Sequence, residues 1–253
     1  MNPIKKIREF IQSDIPPGRY RHEQKYLLDA TQTELLRRRL LPVIKPDKNA
    51  GESGVYKIGS LYFDDIWRRS YTQKLMGTSR RAKYRIRAYN DDDSFIRLER
   101  KSKFDKLICK QSEAITRQEY DKILSGDYEF LFASDKPFLK EFYFECRSNI
   151  MRPRVIVDYD REPYVYSGGD VRITFDMNLR AGTNGYDLFD PDRPVSYCLD
   201  RRQTILEVKF TEFLPRFIGE ALSEVDAAYT SQSKYVMCCE KYNTAEAEDS
   251  SWE

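Results

Sequence analysis

Strict alternation between basic and non-basic side chains constrains this chain more than any other feature. In RRAKYRIRAY, Arg80 to Tyr89, a β-strand places Arg81, Lys83, Arg85 and Arg87 on one face and Ala82, Tyr84, Ile86 and Ala88 on the other. Same-face neighbours lie roughly 7 Å apart, so each pair repels by about 0.6 kcal/mol in bulk water and about 2.4 kcal/mol at an effective dielectric of about 20. A wet sheet surface tolerates such a row. An enclosed one requires compensating anions.

The pattern recurs along the chain. One face carries Arg21, Glu23 and Lys25 within 19–29; Arg97, Glu99, Lys101 and Lys103 within 95–103; and Lys106 and Lys110 within 106–112. Later stretches offer Tyr159 with Arg161, then Arg172, Thr174 and Asp176, then Glu207 and Lys209 between Leu206, Val208 and Phe210. Glu and Lys are seldom buried unless paired or bound to a ligand, so the charge inside LEVKF departs from an ordinary sheet surface. Two architectures remain open: a sheet with its charged faces in water, and a tunnel lined with basic residues that holds a long, densely charged anion.

Periodicity predicts strands over 19–29, 55–65, 81–89, 95–103, 106–113, 153–162, 170–178 and 203–211, several joined by Asn/Asp/Gly turns. Helical spacing fills 3–13, 31–44 with Thr31 as N-cap, 66–75, 116–125, 136–149, 215–225 and 232–242. Strands in succession with helices inserted between them predict an α+β fold. Eight antiparallel strands can close into a barrel with short peripheral helices, which removes exposed edges. Residues 1–242 then form a single domain, and 243–253 an acidic, disordered tail.

Composition excludes several function classes. Lys plus Arg number 43 against 41 Asp plus Glu, so any strong positive field is local and the chain is not a general polyanion binder. His22 is the only histidine, which removes His-based triads and histidine-rich metal centres. The cysteines, Cys109, Cys146, Cys198, Cys238 and Cys239, lack C-x-x-C spacing and are odd in number, so a disulfide framework and a zinc site are both unsupported. Neither a P-loop nor a dinucleotide-binding glycine pattern occurs. Without an apolar run long enough for a membrane span or a secretion signal, the expectation is a cytoplasmic protein.

Eight segments, RHEQKYLLD, SLYFDD, YRIRAY, LERKSKFDKLICKQ, VDYDREPYV, VRITFDMNL, LEVKF and SKYVMCCE, occur in one order over about 19–242. Together they resemble the polyphosphate polymerase domain of the vacuolar transporter chaperone complex, a branch of the triphosphate tunnel metalloenzymes. The resemblance implies an eight-stranded antiparallel tunnel and transfer of the terminal phosphoryl group of ATP to a growing polyphosphate chain. It implies a divalent metal, manganese first and magnesium second, with ATP and inorganic polyphosphate as partners and no nucleic acid. Carried over by position, Lys25, Arg85, Arg87, Arg161, Lys209 and Lys234 form the catalytic set; Lys74, Lys101, Lys110, Tyr159, Arg172 and Ser233 bind phosphate or nucleotide; Glu207 holds the metal. On this reading Glu207→Gln abolishes synthesis and leaves the fold intact.

One departure bears on the branch. Where hydrolases and cyclases of the superfamily resemble each other in a first-strand Glu-x-Glu-x-Lys, this chain has Arg21-x-Glu23-x-Lys25, which weakens a multi-carboxylate metal site and favours anion retention. Glu23 and Glu99 are expected in salt bridges ahead of metal ligation. A stand-alone tunnel domain is expected, without the sensing domain and membrane helices of eukaryotic members. Two alternatives stay open, a hydrolase of triphosphate or short polyphosphate and a non-catalytic polyanion-binding module.

Overall fold

A sheet charged on one face must cover the other, and helices do so here. The computed structural model describes residues 20–105 and 107–249; the helix expected over 3–13, Lys106 and residues 250–253 lie outside them. Among the described residues the strands are β1 (His22–Leu28), β2 (Lys45–Pro46), β3 (Tyr56–Asp64), β4 (Arg80–Tyr89), β5 (Asp92–Phe104), β6 (Leu107–Ile115), β7 (Arg152–Tyr166), β8 (Val171–Gly182), β9 (Val195–Tyr197), β10 (Thr204–Phe210) and β11 (Ala228–Tyr229). The helices are α1 (Ala30–Leu40), α2 (Arg69–Leu75), α3 (Arg117–Ser125), α4 (Glu129–Ala133), α5 (Pro137–Ser148), α6 (Arg216–Glu224) and α7 (Lys234–Asp249).

All eight expected strands form, in the spatial order β1-β10-β8-β7-β3-β4-β5-β6, and every pairing is antiparallel. The expected closed eight-stranded barrel is corrected in two respects. Three short strands add to the sheet, β11 on β1, β2 on β7 and β9 on β8; runs of two or three residues carry no alternation to read. The two edge strands, moreover, share no continuous ladder. They meet through a single bridge, where Arg21 and Ile108 exchange two backbone hydrogen bonds of 3.1 Å. A side-chain pair adds to this seam, with Lys101 of β5 donating to both oxygens of Glu23 of β1 at 2.8 Å.

Local chemistry sets the helix limits. Asp29, not Thr31, is the N-cap of α1, in a reciprocal capping box with Gln32. The helix stops at Leu40 because Pro42, one residue past the C-cap Leu41, has no amide hydrogen to continue the ladder. Helix α2 begins at Arg69, where the Asp64 carboxylate accepts from the Ser70 and Tyr71 amides at 2.9 and 3.1 Å. Helix α7 runs past residue 242 into the segment read as a tail, through an NTAEAED stretch rich in helix-forming Ala and Glu.

Two apolar clusters lie behind the sheet and a third lies on its charged side. Leu61, Ile86, Leu98 and Ile156 pack with Tyr120, Leu131 and Phe142 of α3, α4 and α5. Ile173, Phe175, Leu206 and Val208 pack under Leu36, Leu40, Ile218 and Leu222 of α1 and α6. Helix α7 behaves differently: Val236, Cys239 and Tyr242 pack with Val155, Val157 and Tyr159 of β7. By two-residue periodicity those positions share a face with Arg161. The last helix therefore lies on the charged side of the sheet and delivers Ser233, Lys234 and Tyr235 to it.

Candidate active site

The inward faces enclose a cavity of about 570 Å3 whose walls include Lys25, Lys74, Arg85, Arg87, Lys101, Lys110, Tyr159, Arg161, Arg172, Glu207, Lys209, Ser233 and Lys234. Every residue expected from the sequence thus reaches one space, Lys74 included. Fourteen Lys and Arg side chains line it against the carboxylates of Glu23 and Glu207. Glu99, Asp176 and Asp47, buried behind them, raise the acidic count to five, so a large positive excess remains.

Glu207 is the centre of the densest cluster. Its oxygens meet Lys209 at 2.5 Å, Lys234 at 2.7 Å, Lys25 at 3.4 Å and Arg161 at 3.5 Å. Burial alone would raise its carboxyl, but Lys209, Lys234, Lys25 and Arg161 outweigh it and hold the group well below the usual carboxylate range. Strand register explains the convergence, since Glu207 stands opposite Lys25 on β1 and Thr174 on β8. Asp176, two residues along β8, takes both Arg161 nitrogens at 2.6 and 2.7 Å and Lys234 at 2.6 Å.

A second centre forms around Glu99. Arg85 donates to it at 2.6 and 2.8 Å and Lys110 at 2.7 Å, with Arg87 3.9 Å away. Burial works against ionisation, yet Arg85, Arg87 and Lys110 keep the carboxyl depressed. Glu23 is held by Lys101 and, at 3.5 Å, by Lys25. Both glutamates sit in salt bridges.

Sequence reading named Tyr159 but missed the rest of the tyrosine scaffold, and it placed Lys83 and Thr174 on charged faces without giving them a role. Tyr62, Tyr159 and Tyr56 accept hydrogen bonds from Arg85, Arg87 and Arg172 at 2.8, 3.3 and 3.2 Å; these hydroxyls aim the guanidinium groups. Tyr235 donates to Asp64 at 2.6 Å and so ties α7 to the start of α2. Lys83 reaches Ser233 at 2.9 Å. The Thr174 hydroxyl, fully buried beside Glu207, has no hydrogen-bond partner among the described residues. The alternating charge on β3 and β8 is too weak to single out Tyr56, Tyr62 and Thr174.

A family model for the VTC domain matches residues 20–243. The chain belongs to the VTC domain family. Comparison with curated proteins gives no match. Among solved structures, this VTC domain is similar to HpAC1 from Hippeastrum, an adenylyl cyclase candidate described as having a dominant triphosphatase activity, at 14% identity and a TM-score of 0.53, over 87% of this chain and 94% of that one. It is also similar to an adenylate cyclase candidate from Bacillus halodurans, at 13% identity and a TM-score of 0.51, over 85% and 94% of the two chains. At such identities the likeness shows the fold alone, an antiparallel sheet broadly consistent with the triphosphate tunnel. No helix among the described residues is long and apolar enough to cross a membrane.

The VTC domain's Lys209 supplies a pH signature. Burial pulls its ammonium down to about 8, against the attraction of Glu207. An anion placed beside it favours the charged form and raises that value again. Anion affinity is therefore full below pH 8 and declines as pH rises through it, and binding near pH 8 takes up a proton. Calorimetry with tripolyphosphate in two buffers of different ionisation enthalpy measures the uptake; equal heats would remove Lys209 from the anion site.

Proposed function

We propose that this VTC domain is an ATP-dependent polyphosphate polymerase working inside the basic tunnel. The observation that carries this reading is the cavity's positive excess, fourteen cations facing few carboxylates, which a dense polyanion would neutralise. In the reaction, a terminal phosphate oxygen of the chain forms a P–O bond to the γ-phosphorus of ATP. The bond from that phosphorus to the β–γ bridging oxygen breaks, and ADP departs. Such a transfer asks for in-line positioning and charge stabilisation and for little covalent work by side chains.

The geometry supports a division of roles. Arg87 offers a planar fork for bidentate contact with phosphate oxygens, Arg85 and Arg161 add positive charge from forks that grip Glu99 and Asp176, and Lys25, Lys209 and Lys234 supply point charges around Glu207. Lys74, Lys101, Lys110, Tyr159, Arg172 and Ser233 hold the remaining phosphates or the nucleotide. A divalent cation also belongs to this reading, manganese or magnesium. Among the described residues no group of three or more His, Cys, Asp or Glu side chains could hold a metal ion. The donor set nevertheless fits a hard cation of the kind carried by one or two carboxylates plus substrate phosphates: Glu207 would hold it, with the unpartnered Thr174 hydroxyl alongside. When bound, the cation neutralises charge on the phosphate oxygens.

Hydrolysis of triphosphate is the second reading, favoured by the fold shared with HpAC1 and its described triphosphatase activity. Incubation with ATP and manganese, with products resolved on a gel, separates the two. Long chains are expected; free phosphate without chains would contradict the polymerase reading.

A further inference from the structure

The five cysteines are all free and take no part in the anion chemistry, yet two of them stand together. Cys198 directly follows β9, and its amide donates to the Leu179 carbonyl of β8 at 2.8 Å. Cys238 belongs to α7, and its thiol donates to the next carbonyl of β8, that of Arg180, at 3.6 Å. One stretch of β8 thus positions both residues. Their sulfurs share a hydrogen bond of 3.5 Å, so a closure of about 1.5 Å would bring them to the roughly 2.05 Å of a disulfide.

The two thiols differ in what can reach them. Cys198 is partly exposed, whereas Cys238 is completely buried. The Cys238 thiol, a backbone hydrogen bond from Ala181 and the Lys241 ammonium hold the Cys198 thiol below its ordinary value, while burial pushes Cys238 well up. An oxidant in solution therefore meets the more acidic sulfur first, with a protonated thiol behind it. Burial pushes the Cys146 and Cys239 thiols up to about 12 and about 11, which makes them poor competitors.

We infer that Cys198 and Cys238 form an oxidation site for a small peroxide, and that their disulfide fastens α7 to the sheet. The peroxide transfers one oxygen to the Cys198 sulfur, giving a sulfenic acid and one water. The Cys238 sulfur then attacks that sulfur, the S–S bond forms, and hydroxide leaves with the Cys238 proton as a second water. Two thiols lose two electrons, and one peroxide is reduced to two waters. The bond bears on the tunnel through the loop it closes. Cys238 lies four residues after Lys234, about one helical turn, and the loop from 198 to 238 carries Glu207, Lys209 and Lys234. Lys209 and Lys234 are the cations nearest Glu207, at 2.5 and 2.7 Å. Oxidation thus pins the segment that builds the Glu207 centre, whichever polyanion the tunnel takes.

The test treats the reduced protein with a small excess of hydrogen peroxide, alkylates the remaining thiols after unfolding, and maps the peptides by mass spectrometry. The expected product joins the Cys198 and Cys238 peptides with the loss of two hydrogens, leaves Cys109, Cys146 and Cys239 alkylated, and reverts with dithiothreitol. The bridged protein is expected to melt about 5–10 °C above the reduced one. Cys198→Ser should melt like the reduced protein and gain nothing from peroxide; Cys238→Ser should leave a sulfenic acid on Cys198 that dimedone traps. Five unmodified thiols, sulfinic acid on Cys198 without a bridge, or a bridge to Cys239 would overturn the site. A Cys198–Cys238 bridge that leaves the melting temperature unchanged or lowers it would overturn the fastening of α7.

Discussion

Glu207→Gln is expected to abolish turnover and also to destabilise the fold. The sequence alone casts Glu207 as a metal ligand whose loss spares the structure. Its four buried ion pairs say otherwise, because Lys25, Lys209, Lys234 and Arg161 would share only Glu23 and Asp176 after the change. Breaking a buried pair by removing one partner costs about 3–5 kcal/mol. The loss has a pH signature with a defined sign. Folded lysines robbed of their carboxylate release protons early, whereas unfolded lysines keep theirs to about pH 10.4. The unfolded state then binds more protons, so the variant gains stability as pH rises, and its deficit narrows between pH 7 and pH 9. Melting curves at the two pH values check this. Equal melting temperatures for variant and unaltered protein at pH 7 would show that Glu207 is not the electrostatic centre.

Arg161→Ala carries the second large effect. Arg161 binds Asp176 through two nitrogens, is buried, and lies over the Tyr159 ring. Removal strands a carboxylate with Lys234 as its one remaining close partner. A cost of about 3–5 kcal/mol is expected, or roughly 10 °C in melting temperature for a domain of this size. Arg161→Lys keeps the charge without the planar fork, so it should recover part of the stability and little of the activity. Full activity in the lysine variant would place the phosphate contact elsewhere.

The strands were legible because alternation survives in each: a charged residue every second position within LEVKF or YRIRAY cannot belong to a helix face. The convergence of the thirteen site residues was legible only through family resemblance, since nothing in spacing brings Lys25 next to Glu207. That contact depends on the β1–β10 register, a pairing between strands some 180 residues apart in sequence. The seam was invisible for the same reason, as one bridge between Arg21 and Ile108 leaves no periodic trace. Asp176 could be read as charged but not as a partner. Tyr56 and Tyr62 hid among apolar neighbours because a tyrosine reads alike whether it fills a core or aims an arginine.

The central claim, that the tunnel's positive excess is a polyanion site, is tested most directly by thermal unfolding with tripolyphosphate. A ligand at about 100 times its dissociation constant stabilises the folded state by about 2.7 kcal/mol. For a chain of 253 residues that corresponds to a rise of roughly 5–10 °C. Sodium chloride at equal ionic strength should give no such rise. A melting temperature unmoved by tripolyphosphate, or moved equally by salt, would contradict the account.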